Sequence, residues 1–466
     1  MPTACHNQLG RIEKEMTTMT NQTSKGRIAR LAGTMTATAL AFGLIAAGAS
    51  AAVPQGPGGN AFYNAPDKLV RKAPHGKALR AQAAPQQFQD TYGGATVKKI
   101  LYKSTDGKNR PVEVSGLLMV PSGTAPAGGW PLITWAHGTT GLADECAPSR
   151  DTADELGGGY IAYANATINN WLEDGYAVVA TDYQGLGTPG LHQYLIGTSE
   201  GKSVLDAVLA ARQVNAAIGS KYAIAGHSQG GHAALWATKL ARGGYLKNNT
   251  MVGTVAYAPA SQVSRQAHLI NNYTTPNGIS GLAIQIIKGA STQMNRTKNV
   301  TKVLNSRVLS KTDAGLSSGG KSIWQRVDTE CSGPIGTAAG AAAPNGIAAG
   351  DILGSFDNDA NSDGVFDNPI ARELDRVLKA NDPLFSNVQT PVYVPHGSAD
   401  TTVQPMFTND QPQSVNFFAA GLVWLLNDGR GNTDVTYESF TGLDHTSIIT
   451  DSVPTAAVDA KLAAWF

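Results

Sequence analysis

Cysteine is scarce in this sequence: only positions 5, 146 and 331 of its 466 residues are cysteine. They stand too far apart to form the closely spaced Cys and His pairs that bind structural zinc. The phosphate-binding pattern G-x-x-x-x-G-K-[ST] is missing as well. The sequence therefore offers no recognisable zinc or nucleotide site, and we expect chemistry that needs neither metal nor cofactor.

Charged residues are also few, at 15% of the chain, and the formal net charge is +1. Domains that bind nucleic acids usually carry a strong excess of Lys and Arg. Because no such excess exists here, we expect no nucleic-acid partner. Beyond the N-terminal segment, no apolar run is long enough to cross a bilayer.

The N-terminal 51 residues differ from the rest in composition. Three basic residues between positions 25 and 30 precede an uncharged stretch over 31–47, which ends in Ala49-Ser50-Ala51. Basic, then apolar, then small residues are typical of a secretory signal peptide. We predict that residues 1–51 form this signal and that cleavage near Ala51 releases a protein outside the cell or in the cell envelope.

Strand-like and helix-like segments alternate over much of the remaining chain. Residues 52–90, rich in Pro, Gly, Ala and Lys, predict an extended N-terminal arm. Alternating strands and helices over 91–260, and again over 388–466, predict an α/β fold whose mostly parallel central sheet is covered by helices on both faces. Residues 261–387 have helical pieces but few clear strands, which predicts a largely helical cap inserted between two strands of the sheet.

The pentapeptide Gly226-His227-Ser228-Gln229-Gly230 follows the apolar run Tyr222-Ala223-Ile224-Ala225 and precedes a helical segment. A serine on a tight turn between a buried strand and a helix is the geometry of a nucleophile elbow. The flanking glycines fit a strained turn. The alternative is that Ser228 only caps the helix. We predict that Ser228 is a catalytic nucleophile.

A serine hydroxyl needs a base to take its proton and a third group to orient that base. His445 stands in the loop after the last strand-like segment, where the elbow architecture supplies its base. Asp400 follows an earlier strand-like segment and precedes His445, as the expected chain order requires. Asp444 is the rival acid, although adjacent residues rarely turn their side chains into one hydrogen bond. We predict a Ser228–Asp400–His445 triad, with His396 bracing the Asp400 loop.

An oxyanion formed at the attacked carbonyl needs preorganised N–H donors. The backbone of Gln229, the residue after the nucleophile, is the first predicted donor. The second should come from an earlier strand-to-helix loop, and His137-Gly138-Thr139-Thr140-Gly141 follows a buried strand-like run. Thr140 is the predicted donor, with Thr139 as the alternative.

A short acidic segment is a weak candidate for a calcium loop. Asp359, Asn361, Asp363 and Asp367 have the spacing of the first three-quarters of such a loop, but its twelfth position is Ile370 rather than Glu. A polar turn is therefore the preferred interpretation.

Cys146 and Cys331 remain once Cys5 leaves with the signal peptide. An even pair in an oxidising compartment predicts a disulfide. The alternative is two separate buried thiols.

With these residues identified, the chain resembles the bacterial branch of the secretory lipase family. The stretches that carry the resemblance are Ala61-Phe62-Tyr63, 101–106, 137–149, 182–187 and 397–403. The resemblance implies an α/β-hydrolase fold, ester hydrolysis outside the cell, a triad of Ser228, Asp400 and His445, and a helical cap. It also implies an oxyanion donor near Thr140.

These observations predict a secreted serine carboxylester hydrolase, a lipase or esterase that forms an acyl-enzyme on Ser228. Its partner is a small-molecule or lipid ester, and transient contact with a lipid interface stays open. The apolar segment Ile279–Ile287 lines an acyl pocket in this hypothesis; the alternative is that it only packs the cap. The competing functions are a peptidase or acyltransferase that uses the same triad, and a non-catalytic binding protein on a hydrolase scaffold.

Overall fold

The computed structural model describes residues 52–150, 162–270, 274–295, 299–341, 345–353, 368–386, 390–406, 421–427, 432 and 434–466. The predicted signal peptide and the four candidate calcium ligands at 359–367 lie outside the described residues. No helix of the described part is long and apolar enough to cross a membrane.

The described residues form a nine-stranded sheet with the order β1-β2-β3-β5-β4-β6-β7-β8-β9. The strands are β1 (Ala78–Ala83), β2 (Ala95–Thr105), β3 (Pro111–Pro121), β4 (Trp130–Ala136), β5 (Ala177–Thr181), β6 (Ile218–His227), β7 (Thr250–Tyr257), β8 (Val392–Gly397) and β9 (Val435–Phe440). Strands β1, β2, β3 and β5 pair antiparallel in that order. The pairs from β5 through β4, β6, β7 and β8 to β9 are parallel. The predicted α/β fold with a mostly parallel sheet is confirmed.

In the described residues, helices lie before, between and after these strands. They are α1 (Asp67–Lys72), α2 (Gln86–Thr91), α3 (Asn165–Glu173), α4 (Gly197–Val214), α5 (Gln229–Arg242), α6 (Val263–Ile270), α7 (Gly278–Ser291), α8 (Ser306–Leu309), α9 (Ile323–Arg326), α10 (Ser332–Gly340), α11 (Pro369–Ala380), α12 (Leu422–Asn427), α13 (Ser447–Thr450) and α14 (Ser452–Trp465).

Alternate side chains of the strands enter two separate cores. In β4, Leu132 packs with α4 and α5 on one face, whereas Ile133 and Trp135 pack with α3 and α14 on the other. This explains why β4 is a continuous apolar run, since a strand buried on both faces has no side exposed to water.

Between β7 and β8 the described chain forms the six helices α6 to α11, called the insert below. The insert packs around an apolar core in which Ile284, Val308, Ile335 and Leu374 are buried, together with Leu142 and residues 194–196 from outside the insert. Its glycines allow close packing of α7 on α10, because a Cβ on Gly281 would lie 2.7 Å from the Cα of Gly336.

The segment predicted as an extended arm, 52–90, contains short helices and a strand besides its extended parts. Strand β1 pairs antiparallel with β2 and so extends the sheet. Its sequence, ALRAQA, has few of the β-branched and aromatic residues that favour strands. The pairing with β2, which lies later in the chain, makes it a strand.

Candidate active site

Ser228 lies on a sharp turn between β6 and α5. Its backbone has φ +59° and ψ −116°, a combination that is strained for a residue with a side chain. A Cβ built on Gly226 would overlap the backbone of Gly230, and a Cβ on Gly230 would overlap the carbonyl group of Ala136. Glycine is therefore required at both positions for the turn to pack this closely on the sheet, as in a nucleophile elbow.

The loops after β8 and β9 bring an acid and a base to this serine. His445 Nε2 lies 2.9 Å from Ser228 Oγ, and His445 Nδ1 lies 2.7 Å from Asp400 Oδ2. All three side chains are largely buried, and His445 is 7% exposed. The strands β6, β8 and β9 run parallel, so the loops at their carboxyl ends meet at one edge of the sheet. The structure thus brings the three predicted residues into one hydrogen-bonded chain.

Asp400 is held by donors on both carboxylate oxygens. Its Oδ1 accepts the N–H groups of Thr402 at 2.8 Å and Val403 at 2.9 Å. Burial by itself raises the pKa of Asp400, but hydrogen bonds from His396 and His445 outweigh it and hold the pKa far below its usual range. Asp400 therefore stays ionised, as a group that orients a histidine and stabilises its cation must.

Two backbone segments can offer N–H groups to an oxyanion near Ser228. Gln229 is the first residue of α5, so its N–H has no acceptor in a preceding turn of helix. In the loop after β4, Thr139 lines the same cavity as Ser228. Thr140, the predicted donor, is not among the described residues that line this cavity, and its carbonyl accepts the N–H of Ser332 at 2.8 Å. The predicted loop reaches the site, with Thr139 on the cavity wall.

A disulfide between Cys146 and Cys331 joins this loop region to the insert, in agreement with the prediction. Cys331 immediately precedes α10, and Gly141 pairs with it in an isolated β-bridge. The covalent link and the bridge fix the start of α10, within the insert, beside the loop that carries Thr139.

An apolar cavity opens at Ser228, and about 950 Å³ of space there, including the solvent at its mouth, is free of protein atoms. One face of α7 lines it at helical spacing, through Ile279, Leu282, Ala283, Ile286 and Ile287. Leu374 and Leu378 of α11 line it from another side. The segment predicted as an acyl pocket therefore forms a wall of this cavity.

The remaining candidate residues have other contacts. Asp444 Oδ1 accepts the N–H groups of Thr446 at 3.0 Å and Ser447 at 2.7 Å, so it closes its own turn. His227 Nε2 lies 2.7 Å from the backbone oxygen of His445, which supports the base from behind. His396 Nε2 lies 2.8 Å from the carbonyl oxygen of Val403, which agrees with its predicted bracing role.

Sequence reasoning missed a buried carboxylate next to the elbow. Glu200 of α4 is 1% exposed, and its Oε1 accepts a hydrogen bond from the side chain of Gln229 at 2.8 Å. A glutamate in the first turn of a helix is ordinarily explained by the helix dipole. Only the packing of α4 against α5 reveals that this one is enclosed.

Comparisons with known proteins concern the fold and the family. The family model for secretory lipases matches residues 153–318. Lipase A of Moesziomyces aphidis is 26% identical over 237 residues, which are 49% of this chain and 48% of that protein. A protein of Mycobacterium tuberculosis described as a probable inactive lipase is 25% identical over 243 residues, 50% of this chain and 52% of its own.

Among solved structures, Candida antarctica lipase A matches with a TM-score of 0.64 and 18% identity, over 87% of this chain and 85% of that one. That likeness concerns the fold. This chain spans about half the length of the curated relatives that it matches. The family match over residues 153–318, the relatives and the shared fold agree with one another: the chain has the α/β-hydrolase fold and is similar to secretory lipases.

Proposed function

We propose that this protein is an exported serine hydrolase that cleaves carboxylic esters through an acyl-enzyme on Ser228. The observation that carries the proposal is the unbroken chain from Ser228 Oγ to His445 Nε2, at 2.9 Å, and from His445 Nδ1 to Asp400 Oδ2, at 2.7 Å. One relative is described as a probable inactive lipase, so similarity to secretory lipases does not by itself imply activity. The proposal therefore depends on these side chains.

The chemistry follows from their positions. His445 Nε2 takes the proton of Ser228 while Oγ bonds to the ester carbonyl carbon, and the carbonyl oxygen becomes an oxyanion. The N–H of Gln229 and an N–H of the Thr139–Thr140 pair bind that oxyanion. The C–O bond then breaks, and the alcohol leaves with the proton from His445. A water molecule then attacks the acyl-enzyme with His445 as its base, and the same steps release the acid and free Ser228.

The cavity indicates the kind of ester. Its walls are mostly aliphatic, from α7 and α11, and it opens directly at Ser228. An acyl chain placed there would leave water and gain about 0.8 kcal/mol for each buried CH₂. We therefore favour acyl esters of medium or long chain over a peptide amide, whose polar backbone groups would lose their hydrogen bonds to water in this cavity.

Export rests on the secretory lipase match and on the basic, apolar and small-residue pattern of residues 1–51. N-terminal sequencing of the protein recovered from the medium of its native host tests it. We expect a mature start close to position 52. A mature protein that stays in the cytoplasm with Met1 at its start would contradict export.

The test of function uses p-nitrophenyl esters from acetate to palmitate beside a peptide p-nitroanilide. We expect hydrolysis of the esters, a preference for longer chains and no amide cleavage. A fluorophosphonate should label Ser228, and Ser228→Ala should lower the ester rate by at least 10⁴-fold, on the order seen when a triad member is lost. Activity of Ser228→Ala within tenfold of the parent would contradict the proposal.

A further inference from the structure

A buried carboxylate lies behind the elbow, and the reaction steps above do not use it. Both oxygens of Glu200 are occupied by donors: Oε1 accepts the N–H of Leu195 at 2.9 Å and Nε2 of Gln229 at 2.8 Å, and Oε2 lies 2.9 Å from Nδ1 of His232. Enclosing a carboxylate without partners is costly, so these donors are what make the charge tolerable in this place.

The side chain of Gln229 is held between two acceptors. Its Nε2 lies 2.8 Å from Glu200 Oε1 and 2.8 Å from His192 Nε2. His192 Nδ1 lies 2.8 Å from the carbonyl oxygen of Gln184, so the Nδ1–H donates there and Nε2 is left as an acceptor. Burial lowers the pKa of His192, which favours this neutral ring. Both N–H bonds of the Gln229 amide therefore have a partner, and its side chain has one orientation.

His232 connects the same carboxylate to Asn381, the residue that follows α11. Its Nδ1 faces Glu200 Oε2 at 2.9 Å and its Nε2 faces the carbonyl oxygen of Asn381 at 2.8 Å. Both of these oxygens are acceptors, so an N–H of the His232 ring donates to at least one of them. Trp236 Nε1 donates to the same carbonyl at 2.8 Å. Asn381 directly follows α11, which lines the cavity.

We propose that Glu200 is a positioning residue for the oxyanion donor of Gln229. Ser228 fixes one side of the Gln229 backbone, because the elbow conformation is set by glycine packing. Glu200 fixes the far end of the side chain. Together they set the direction of the Gln229 N–H before substrate arrives. A preorganised donor is effective because it needs no reorientation during the reaction.

This inference rests on the proposed function, and the variant Glu200→Gln tests it on p-nitrophenyl butyrate. The substitution keeps the shape but removes the charge. Its new amide N–H₂ either meets the two donors at the Oε1 position or makes His232 Nδ1 an acceptor at the Oε2 position. Loss of a whole oxyanion donor costs about 10²–10³-fold in kcat. For a misdirected donor we expect a kcat lower by roughly 10- to 100-fold, with KM within about threefold because the cavity is unchanged.

A trifluoromethyl ketone supplies a readout that a merely structural role would not change. It adds to Ser228 and places an oxyanion on the same donors, so its affinity should fall by the same factor as kcat. The matched control is Asp206→Asn on the same helix. Asp206 is equally buried but pairs with His75 and Tyr245, away from Ser228. It should lower the melting temperature while kcat and inhibitor affinity stay within about twofold.

The route through Gln229 is tested by Gln229→Ala, which keeps the backbone N–H and removes the tether. We expect a loss of kcat similar to that of Glu200→Gln, and the double variant should be no more than about threefold worse than either single one. If the loss of kcat in the double variant equals the product of the two single losses, the proposal is overturned, because Glu200 would then act independently of the Gln229 side chain. A folded Glu200→Gln with kcat within twofold of the parent would overturn it too.

If Glu200→Gln fails to fold, Gln229→Ala alone decides, and an unchanged kcat in that variant contradicts the inference. The Ser228→Ala experiment separates this proposal from the proposed function. When Ser228→Ala abolishes hydrolysis and Glu200→Gln leaves it intact, only the role of Glu200 is wrong. When Ser228→Ala retains hydrolysis, the proposed function itself is wrong.

Discussion

The sheet and the insert contribute to the candidate site in different ways. The sheet holds the reactive groups, since Ser228, Asp400 and His445 follow β6, β8 and β9, three strands whose direction is fixed by backbone pairing. The insert holds most of the cavity wall, through helices packed by side chains around an apolar core. Loops at the ends of paired strands can keep three side chains within hydrogen-bond distance, whereas the surface of a helix changes shape with each substitution. For the proposed hydrolysis, this difference predicts that the sheet governs whether an ester is cleaved and that the insert governs which ester is accepted.

Among the changes that test this comparison, Asp400→Asn should have the largest effect on kcat. Asparagine keeps the Oδ1 acceptor for Thr402 and Val403 but turns an N–H₂ toward His445 Nδ1, which favours the wrong tautomer of the base. We expect kcat to fall by roughly 10³–10⁴-fold, by the same factor for every acyl length.

The control for that variant is Asp444→Asn, adjacent to His445 in sequence. Its Oδ1 already closes a turn, and asparagine can accept the same N–H groups. Kinetics on acetate and palmitate esters check both variants. Equal losses in the two, or a loss in Asp400→Asn that depends on chain length, would contradict the assignment of the acid.

The next effect concerns the insert alone. Ala283→Phe places a ring on the cavity face of α7 and should shorten the space for an acyl chain. We expect kcat/KM for long-chain esters to fall by on the order of tenfold or more, as lost pocket contacts do, while acetate stays within about twofold. Val453→Phe, at an exposed helix position, is the control for added bulk. A uniform loss on all esters would mean that the insert also shapes the reactive groups.

The disulfide joins the loop region after β4 to the insert. Changing Cys146 and Cys331 together to Ser removes a link that closes a loop of 185 residues, which the chain-entropy model values at up to about 5 kcal/mol. We expect a lower melting temperature for the double variant and the same decrease when the parent is reduced. Thermal unfolding with and without dithiothreitol measures this. A reductant that leaves the parent's melting temperature unchanged would refute it.

The smallest effect is a pH dependence in the antiparallel part of the sheet. Burial raises the pKa of Glu113, on β3, to about 7. A carboxyl that holds its proton more tightly when folded stabilises the fold fully below its unfolded pKa, about 4.3, and this contribution is lost as pH rises through about 7. The melting temperature of Glu113→Gln, taken relative to that of the parent, should therefore rise between pH 5 and pH 8. A difference that stays constant over this range would contradict the prediction.

Local sequence patterns were sufficient to predict much of the candidate site. A serine between glycines, set between an apolar run and a helical segment, pointed to Ser228, and position after strand-like segments pointed to Asp400 and His445. These signals work because parallel strands deliver their carboxyl ends to one edge. The choice between Thr139 and Thr140 could not be predicted in this way, because adjacent loop residues face opposite directions and only packing decides which one meets the cavity.

The sequence by itself determined the α/β alternation, the nucleophile turn and the order of acid and base, because each depends on short-range periodicity and on glycine geometry. The tertiary structure alone decided the rest. It made a strand of Ala78–Ala83 by pairing it with β2, formed the cavity from helices distant in the chain, and enclosed Glu200 behind Gln229. Burial and long-range pairing are properties of the assembled chain, since whether a charge meets water or a partner depends on elements that its sequence neighbours do not specify.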